Sequence, residues 1–135
     1  MIDKELNITP SLEDYLETIL FLMEKDQAVR VTDVANYLSI SKPSVNKAIN
    51  NLKTMGLVIH EHYGLLDLTQ EGRQIAVQVA KRHVVLTDFL ERYLGVEPKT
   101  AEKEACLMEH SIGGETVDKL EAFLKNYEEI LKAQK

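Results

Sequence analysis

The chain has 135 residues, a formal net charge of −6 and 44% hydrophobic residues, which fits one domain or two very small ones. Its first residues, MIDKELNITP, lack the charged region and apolar run of a secretory signal, and no apolar stretch approaches the roughly 20 residues of a membrane span. We therefore expect a soluble, cytoplasmic protein with no membrane partner. The single cysteine excludes an internal disulfide and agrees with a reducing compartment.

The charge is distributed unevenly along the chain. The negative total argues against nucleic-acid binding, because proteins that bind nucleic acids usually present a basic face. The segment 28–56, however, carries a local charge of +3, from one acidic residue and four basic ones: Asp33 against Arg30, Lys42, Lys47 and Lys53. This asymmetry predicts that one part of the chain binds polyanions and that another part has a different role.

Three helices are predicted in the N-terminal half. After Thr9-Pro10, apolar residues recur with a 3.6-residue period and predict a helix over about 11–25. Thr32 is the expected cap of a short helix. Ser41 is the expected cap of the next helix, which has Pro43 in its first turn and ends at Gly56. Two helices joined by so few residues predict a helix-turn-helix.

A wing and three further helices are predicted beyond Gly56. The sequence LVIHEHYGLLDLT predicts a β-hairpin with its turn at Tyr63-Gly64. Thr69 is the expected cap of a long helix that Gly95 closes. A helix from Pro98 to His110 and a last amphipathic helix over 115–132 follow.

The second helix of the helix-turn-helix is the candidate DNA-reading element. Such a helix enters the major groove with its N-terminal half nearest the bases. Hydroxyls and amides contact base edges or phosphates, and lysines neutralise phosphates. The candidates on its polar face, with one phosphate candidate past the wing, are Ser41, Lys42, Ser44, Asn46, Lys47, Asn50 and Arg73. The alternatives are a solvated polar face on a three-helix core and a protein-interaction module.

Metal-donor side chains are concentrated in EACLMEHS, residues 104–111. Cys106, Glu109 and His110 have the spacing i, i+3, i+4, which puts a thiol, a carboxylate and an imidazole on one helical face. Asp14 and Glu17 have the spacing i, i+3 on the first helix, and a divalent cation would offset their mutual repulsion. Carboxylate with imidazole suits Mn(II), Fe(II) and Co(II), whereas a thiolate adds affinity for Zn(II), Ni(II) and Fe(II).

Other interpretations of these residues remain open. Cys106 can be a small buried hydrophobe beside a surface pair, Glu109-His110, in a winged-helix regulator that senses a ligand other than a metal. Cys106 and His110 can also act as nucleophile and base. We do not expect an enzyme, because no glycine loop of the oxyanion type lies nearby. His60 and His62 share a face of the hairpin and are interpreted as surface residues of the wing.

Taken together, these segments resemble the diphtheria toxin repressor family. SLEDYLETIL, VTDVANYLSISKPSVNKAINNLKTMGLV, LTQEGR, RH and EACLMEH occur in the family's order and spacing, over roughly residues 11–131. The resemblance implies a metal-activated, homodimeric repressor that binds a palindromic operator in double-stranded DNA and controls metal homeostasis, in particular metal uptake. The implied fold is mainly α, with a winged helix-turn-helix over 1–72 and an all-helical dimerisation and metal-binding domain over 73–135. The chain would then be the shorter, two-domain form of the family.

The resemblance also implies metal ligands. Asp14 and Glu17 match ligands of the manganese-sensing branch, and His83 matches a ligand that both branches share. Glu109 and His110 match the Glu-His pair that is common to the family. The implied cofactor is Mn2+ or Fe2+, and Zn2+, Co2+ or Ni2+ are expected to bind in vitro. Metal would tie the N-terminal helix to the dimerisation domain.

Three positions depart from a single branch of the family. Cys106 stands where the iron sensors have cysteine and the manganese sensors glutamate, so the donor set is a hybrid. Thr87 and Glu102 stand where the ancillary site of the iron sensors has glutamate and histidine. These two departures argue against a second site of the iron-sensor kind. A second site built on His83 and Glu17, with Glu102 as a further candidate, stays open. The expected dimer seam is apolar and involves Leu107, Val117, Leu120 and Leu124.

Overall fold

The structure, a computed structural model, describes residues 8–26 and 28–134. The first seven residues of the predicted DNA-binding domain lie outside this range. The chain divides into two compact units, residues 1–77 and 78–135. The predicted domain boundary after residue 72 stays a prediction. No helix in the described part of the chain is both long and apolar enough to cross a bilayer.

The first unit combines three helices with a small antiparallel sheet. Its elements are α1 (Pro10–Asp26), β1 (Val29–Arg30), α2 (Val31–Leu38), α3 (Lys42–Thr54), β2 (Val58–His60) and β3 (Leu65–Leu68). The central strand is β3, which pairs with β1 on one side and with β2 on the other. The predicted wing is thereby confirmed. The sequence does not predict β1, because a two-residue strand is too short to show a period.

The helix-turn-helix forms as predicted except at the start of α2. Thr32 lies inside this helix and is not its cap. The backbone N–H of Arg30 instead donates to the carboxylate of Asp33 at 2.8 Å. This hydrogen bond provides a partner for the N–H group that lies just before the helix begins. The cap of α3 is confirmed, because the Ser41 hydroxyl accepts the backbone N–H of Ser44 at 3.3 Å. The apolar face of α3 is buried and consists of Val45, Ala48, Ile49 and Leu52.

The wing is joined to the start of α4 (Gln70–Asp88). The Thr69 hydroxyl accepts the N–H of Gly72 at 3.0 Å and donates to the carbonyl of Gly56 at 2.8 Å, which confirms the predicted cap. A Cβ atom at Gly72 would collide with the backbone carbonyl oxygen of Leu57. Glycine at this position therefore allows the first turn of α4 to pack against the chain that enters the wing.

The regular elements of the second unit are all helices in its described residues. It contains the rest of α4, a π-helical turn (Phe89–Tyr93), α5 (Pro98–Met108) and α6 (Gly114–Ala133). Its interior consists of two apolar clusters, one around Leu86, Leu90, Ala101 and Ala105, and one around Val85, Val117 and Leu124. The predicted dimer seam is therefore partly wrong. Val117 and Leu124 are buried inside their own unit, whereas Leu107 is exposed.

Two helix ends differ from their predictions. The predicted long helix does not stay α-helical to Gly95, because Leu94 N–H donates to Phe89 O, five residues back, at 3.1 Å. The helix that was expected to reach His110 ends at Met108. Ser111 N–H donates to Met108 O at 2.9 Å, three residues back, so the chain tightens into a turn at Glu109 and His110.

Candidate metal centre and DNA-reading helix

Three predicted ligands of the second unit lie within reach of one ion. The side chains of His83 on α4, Cys106 on α5 and Glu109 just after α5 each offer a donor atom. These atoms, an imidazole nitrogen, the sulfur and a carboxylate oxygen, all lie within 4.8 Å of one another. A carboxylate, an imidazole and a thiol in such proximity form a donor set that suits divalent transition metals.

His83 lies between two carboxylates. Its Nδ1 atom is 2.6 Å from Oε1 of Glu109, and its Nε2 atom is 2.9 Å from Oε1 of Glu102. The hydrogen bond to Glu109 raises the pKa of His83 to about 9. The negative charges of both glutamates also raise this pKa, whereas burial lowers it. The imidazole is therefore protonated at neutral pH, and each ring N–H donates to a carboxylate.

Glu109 is a fully buried carboxylate. Its side chain is 0% exposed, and its Oε2 atom has no hydrogen-bond donor among the described residues. The Nε2 atom of His110 lies 3.5 Å from this oxygen. Burying a carboxylate oxygen without a donor costs free energy, which a bound cation would offset. The residues of this centre thus fit a divalent metal.

The structure contradicts the interpretation of this cluster as one structural cysteine beside a surface pair. Cys106 is exposed, so it does not fill the core as a small hydrophobe. Glu109 is fully buried and His110 is only partly exposed, so these two residues are not a surface pair. The lone cysteine and the Glu-His pair instead lie beside His83 at the edge of the unit's interior.

One contact of the centre was not predicted from the sequence, although its arginine belongs to the RH segment. The guanidinium of Arg82 donates to the backbone carbonyl of Glu109 at 3.1 Å. This hydrogen bond ties α4 to the turn after α5, where regular helical hydrogen bonds end. Arg82 therefore helps to position Glu109 next to His83, a role that its place in the RH motif does not reveal.

The remaining predicted ligands lie elsewhere in the chain or at the edge of the centre. Asp14 and Glu17 are partly buried on α1, in the first unit, and their role as ligands stays a prediction. Glu102 is exposed but bonded to His83. Thr87 also lies on α4, and its buried hydroxyl oxygen has no hydrogen-bond partner in the described part of the chain.

The predicted DNA-reading residues are all exposed. These residues, on α3, at its cap and in the first turn of α4, are Ser41, Lys42, Ser44, Asn46, Lys47, Asn50 and Arg73. The hydroxyls of Ser41 and Ser44 hydrogen-bond to each other at 2.9 Å, so both stabilise the start of α3. His60 and His62 on the wing belong to no group of metal donors among the described residues.

Family models match both halves of the chain. Residues 7–66 match the iron dependent repressor N-terminal DNA binding domain. Residues 69–131 match the iron dependent repressor metal binding and dimerisation domain. The two matches are separated by only two residues, 67 and 68, which lie at the end of β3.

Several known proteins are similar to the chain over most of its length. An HTH-type transcriptional regulator of Methanocaldococcus jannaschii is 32% identical over 123 residues, which cover 90% of this chain and 98% of the relative. The HTH-type transcriptional regulator MntR of Bacillus subtilis is 33% identical over 121 residues, which cover 90% of this chain and 84% of the relative. The structure of the manganese regulator SloR superposes with a TM-score of 0.77 at 29% identity, covering 87% of this chain and 55% of that chain.

Proposed function

Because the chain belongs to the iron dependent repressor family, which includes the diphtheria toxin repressor, we propose that it represses transcription in response to Mn2+ or Fe2+. The observation that carries this proposal is the donor group His83, Cys106 and Glu109, within 4.8 Å of one another. The buried Glu109 oxygen without a hydrogen-bond donor among the described residues supports it.

The proposed ligands in the second unit are His83, Cys106, Glu109 and His110. The family resemblance adds Asp14 and Glu17 as ligands, and Glu102 as a candidate ligand for a second ion. When bound, the metal supplies the positive charge that holds carboxylate, thiolate and imidazole together. Without it, His83 keeps a proton between Glu102 and Glu109, so metal binding at this centre releases that proton.

The choice between the two metals depends on Cys106. Carboxylate and imidazole donors suit Mn2+, whereas a thiolate favours softer ions such as Fe2+, Co2+ and Zn2+. The solved relative SloR is a manganese regulator, whereas the matching family models are described as iron dependent repressors. Cellular availability outweighs intrinsic affinity in selecting a metal, so both ions belong to the proposal.

The proposed DNA-bound form is a homodimer on double-stranded DNA in the cytoplasm. A two-fold axis between identical subunits presents two copies of α3, and a palindromic operator matches this symmetry. Metal binding and DNA binding are coupled, so each strengthens the other by the same factor. Genes for metal uptake are the proposed targets, because repression by the bound metal limits further import.

A DNA-selection experiment followed by a metal titration tests the proposal. A random-sequence duplex pool is enriched on the manganese-loaded protein, and the selected DNA is then titrated in a gel-shift assay with Mn2+, Fe2+, Co2+ or Zn2+. We expect a palindromic sequence and an affinity that rises at least about fivefold with metal, as coupled sites usually show. A chelator should reverse the gain. DNA binding that a chelator leaves unchanged would instead favour a winged-helix regulator that senses another ligand.

A further inference from the structure

Arg30 connects the helix-turn-helix to the tip of the wing. Its backbone is fixed on one side by the bond to Asp33 and on the other by its position opposite Leu65 in the sheet. From this edge strand, its Nη1 atom donates to the backbone carbonyl of Tyr63 at 2.6 Å, across 33 residues of sequence. The guanidinium thus reaches the turn between β2 and β3.

Gly64 provides the space that this contact needs. Its φ angle is +86°, which favours glycine, and a Cβ atom there would lie 2.8 Å from Nη1 of Arg30. The N–H of Gly64 donates to the carbonyl of Glu61 at 2.9 Å and closes the turn. The conformation of the wing tip and the position of the guanidinium therefore depend on each other.

The tip itself presents two aromatic rings, those of His62 and Tyr63. Tyr63 is 77% exposed, the highest value among the exposed large hydrophobic residues that the structure describes. His62 is also exposed and packs edge-on against it, with 5.6 Å between ring centroids. A tyrosine hydroxyl can bind a phosphate, and histidine is among the side chains found in narrow minor grooves. Glu61 is the only aspartate, glutamate, lysine or arginine of the turn, so the tip offers no lysine or arginine to a phosphate.

We propose that Arg30 is a positioning residue for DNA binding, which holds the wing tip so that His62 and Tyr63 contact the DNA beside α3. This inference rests on the proposed function, because it requires an operator. Arg30 acts through the Tyr63 carbonyl and not through a phosphate. The variant Arg30→Ala should therefore leave α3 in place and release only the wing tip.

The salt dependence of DNA affinity separates positioning from direct phosphate contact. Loss of a phosphate-binding cation lowers the slope of log K against log salt by about 0.9. Loss of uncharged contacts lowers the affinity without changing this slope. At pH 8, with metal bound, we expect Arg30→Ala to weaken DNA binding about five- to tenfold, which corresponds to the loss of one or two hydrogen bonds. The slope of log K against log salt should not change. The matched control Arg73→Ala, which removes a proposed phosphate contact of the same charge, should lower the slope.

A double-mutant cycle tests whether Arg30 works through the wing. If it does, Arg30→Ala should have a smaller effect in a Tyr63→Ala background than in the wild type, because one of the two contacts that it positions is already gone. Gly64→Ala should reproduce the loss by displacing the turn. The affinity for Mn2+, for which ligands are proposed in both units, should match wild type in all of these variants and shows that they are folded.

Two outcomes would overturn the inference. One is a slope that falls by about 0.9 for each subunit in Arg30→Ala, which would make Arg30 a phosphate contact. The other is wild-type affinity in Arg30→Ala, or effects of Arg30→Ala and Tyr63→Ala that simply add. Neither outcome touches the proposed function, which fails only if the wild-type protein shows no metal-dependent binding to selected DNA.

Discussion

Nδ1 of His83 lies 2.6 Å from Oε1 of Glu109, a carboxylate whose side chain is fully buried. This pair joins α4 to the turn that follows α5, and it places an imidazole with a raised pKa next to the thiol of Cys106. The same two groups can share a proton or a metal. Competition between these two occupants is the physical basis of the first three predictions.

Replacement of Glu109 by glutamine should weaken metal binding at least about tenfold, since removing even an indirect partner of a metal site has that effect. Glutamine keeps the volume of the side chain but removes the charge that the cation offsets. Isothermal titration with Mn2+ and Zn2+ measures the change. Glu104→Gln, an exposed position on α5 just before this turn, is the matched control and should bind as wild type does. Equal dissociation constants for both variants would remove Glu109 from the site.

The metal-free protein should lose stability as the pH rises through about 9. Folding raises the pKa of His83 from 6.5 to about 9, so its protonated form is favoured in the folded state. The resulting stability is fully present below pH 6.5 and disappears above pH 9. Urea unfolding at pH 6, 8 and 10 tests this, with His83→Gln as the comparison. A wild-type profile that parallels that of His83→Gln would contradict the raised pKa.

Cys106→Ser should change metal preference more than metal capacity. Serine keeps the size of the side chain but replaces a soft donor by a hard one, so the affinity for Co2+ and Zn2+ should fall more than that for Mn2+. Near-ultraviolet absorption of the cobalt-loaded protein, which reports a sulfur-to-metal transition, should disappear as well. An unchanged cobalt spectrum would show that the thiol is not a ligand.

Lys47→Ala should reduce the salt dependence of operator binding. A lysine that neutralises one phosphate contributes about 0.9 to the slope of log K against log salt. Gel shifts at several salt concentrations, with metal in excess, measure the slope. Lys132→Ala, which removes an exposed charge near the end of α6, is the control and should keep the wild-type slope. A wild-type slope in Lys47→Ala would exclude a phosphate role for this residue.

Gly72→Ala should destabilise the first unit by about 1 to 3 kcal/mol, the usual cost of overpacking. The new Cβ atom would overlap the carbonyl oxygen of Leu57, which is backbone and cannot move alone. Gly113→Ala is the matched control, because nothing lies within 4 Å of a Cβ atom there. Its cost should stay below about 1 kcal/mol. Chemical unfolding followed by circular dichroism separates the two, and equal losses would refute the close approach at Gly72.

Local patterns in the sequence predicted most of the helices and strands, and also several of the caps and turns that bound them. The cap at Ser41, the cap at Thr69 and the turn at Tyr63-Gly64 depend on neighbouring residues, so short stretches of sequence are enough to predict them. The predicted cap at Thr32 was wrong because Ser, Thr and Asp compete for the same N–H groups. Only the backbone geometry shows that the Asp33 carboxylate accepts the N–H of Arg30. The shortened end of α5 likewise depends on packing that a helical period cannot show.

The sequence by itself determined the helix-turn-helix, the wing, and the donor types at positions 83, 106, 109 and 110, because these follow from side-chain chemistry and regular spacing. Only the tertiary structure decided that His83, Cys106 and Glu109 lie within 4.8 Å of one another, that Glu109 is buried, and that Arg30 reaches Tyr63. These contacts join residues 23 to 33 positions apart. No local period encodes them, since the packing of the apolar faces between the helices and strands sets which distant side chains meet.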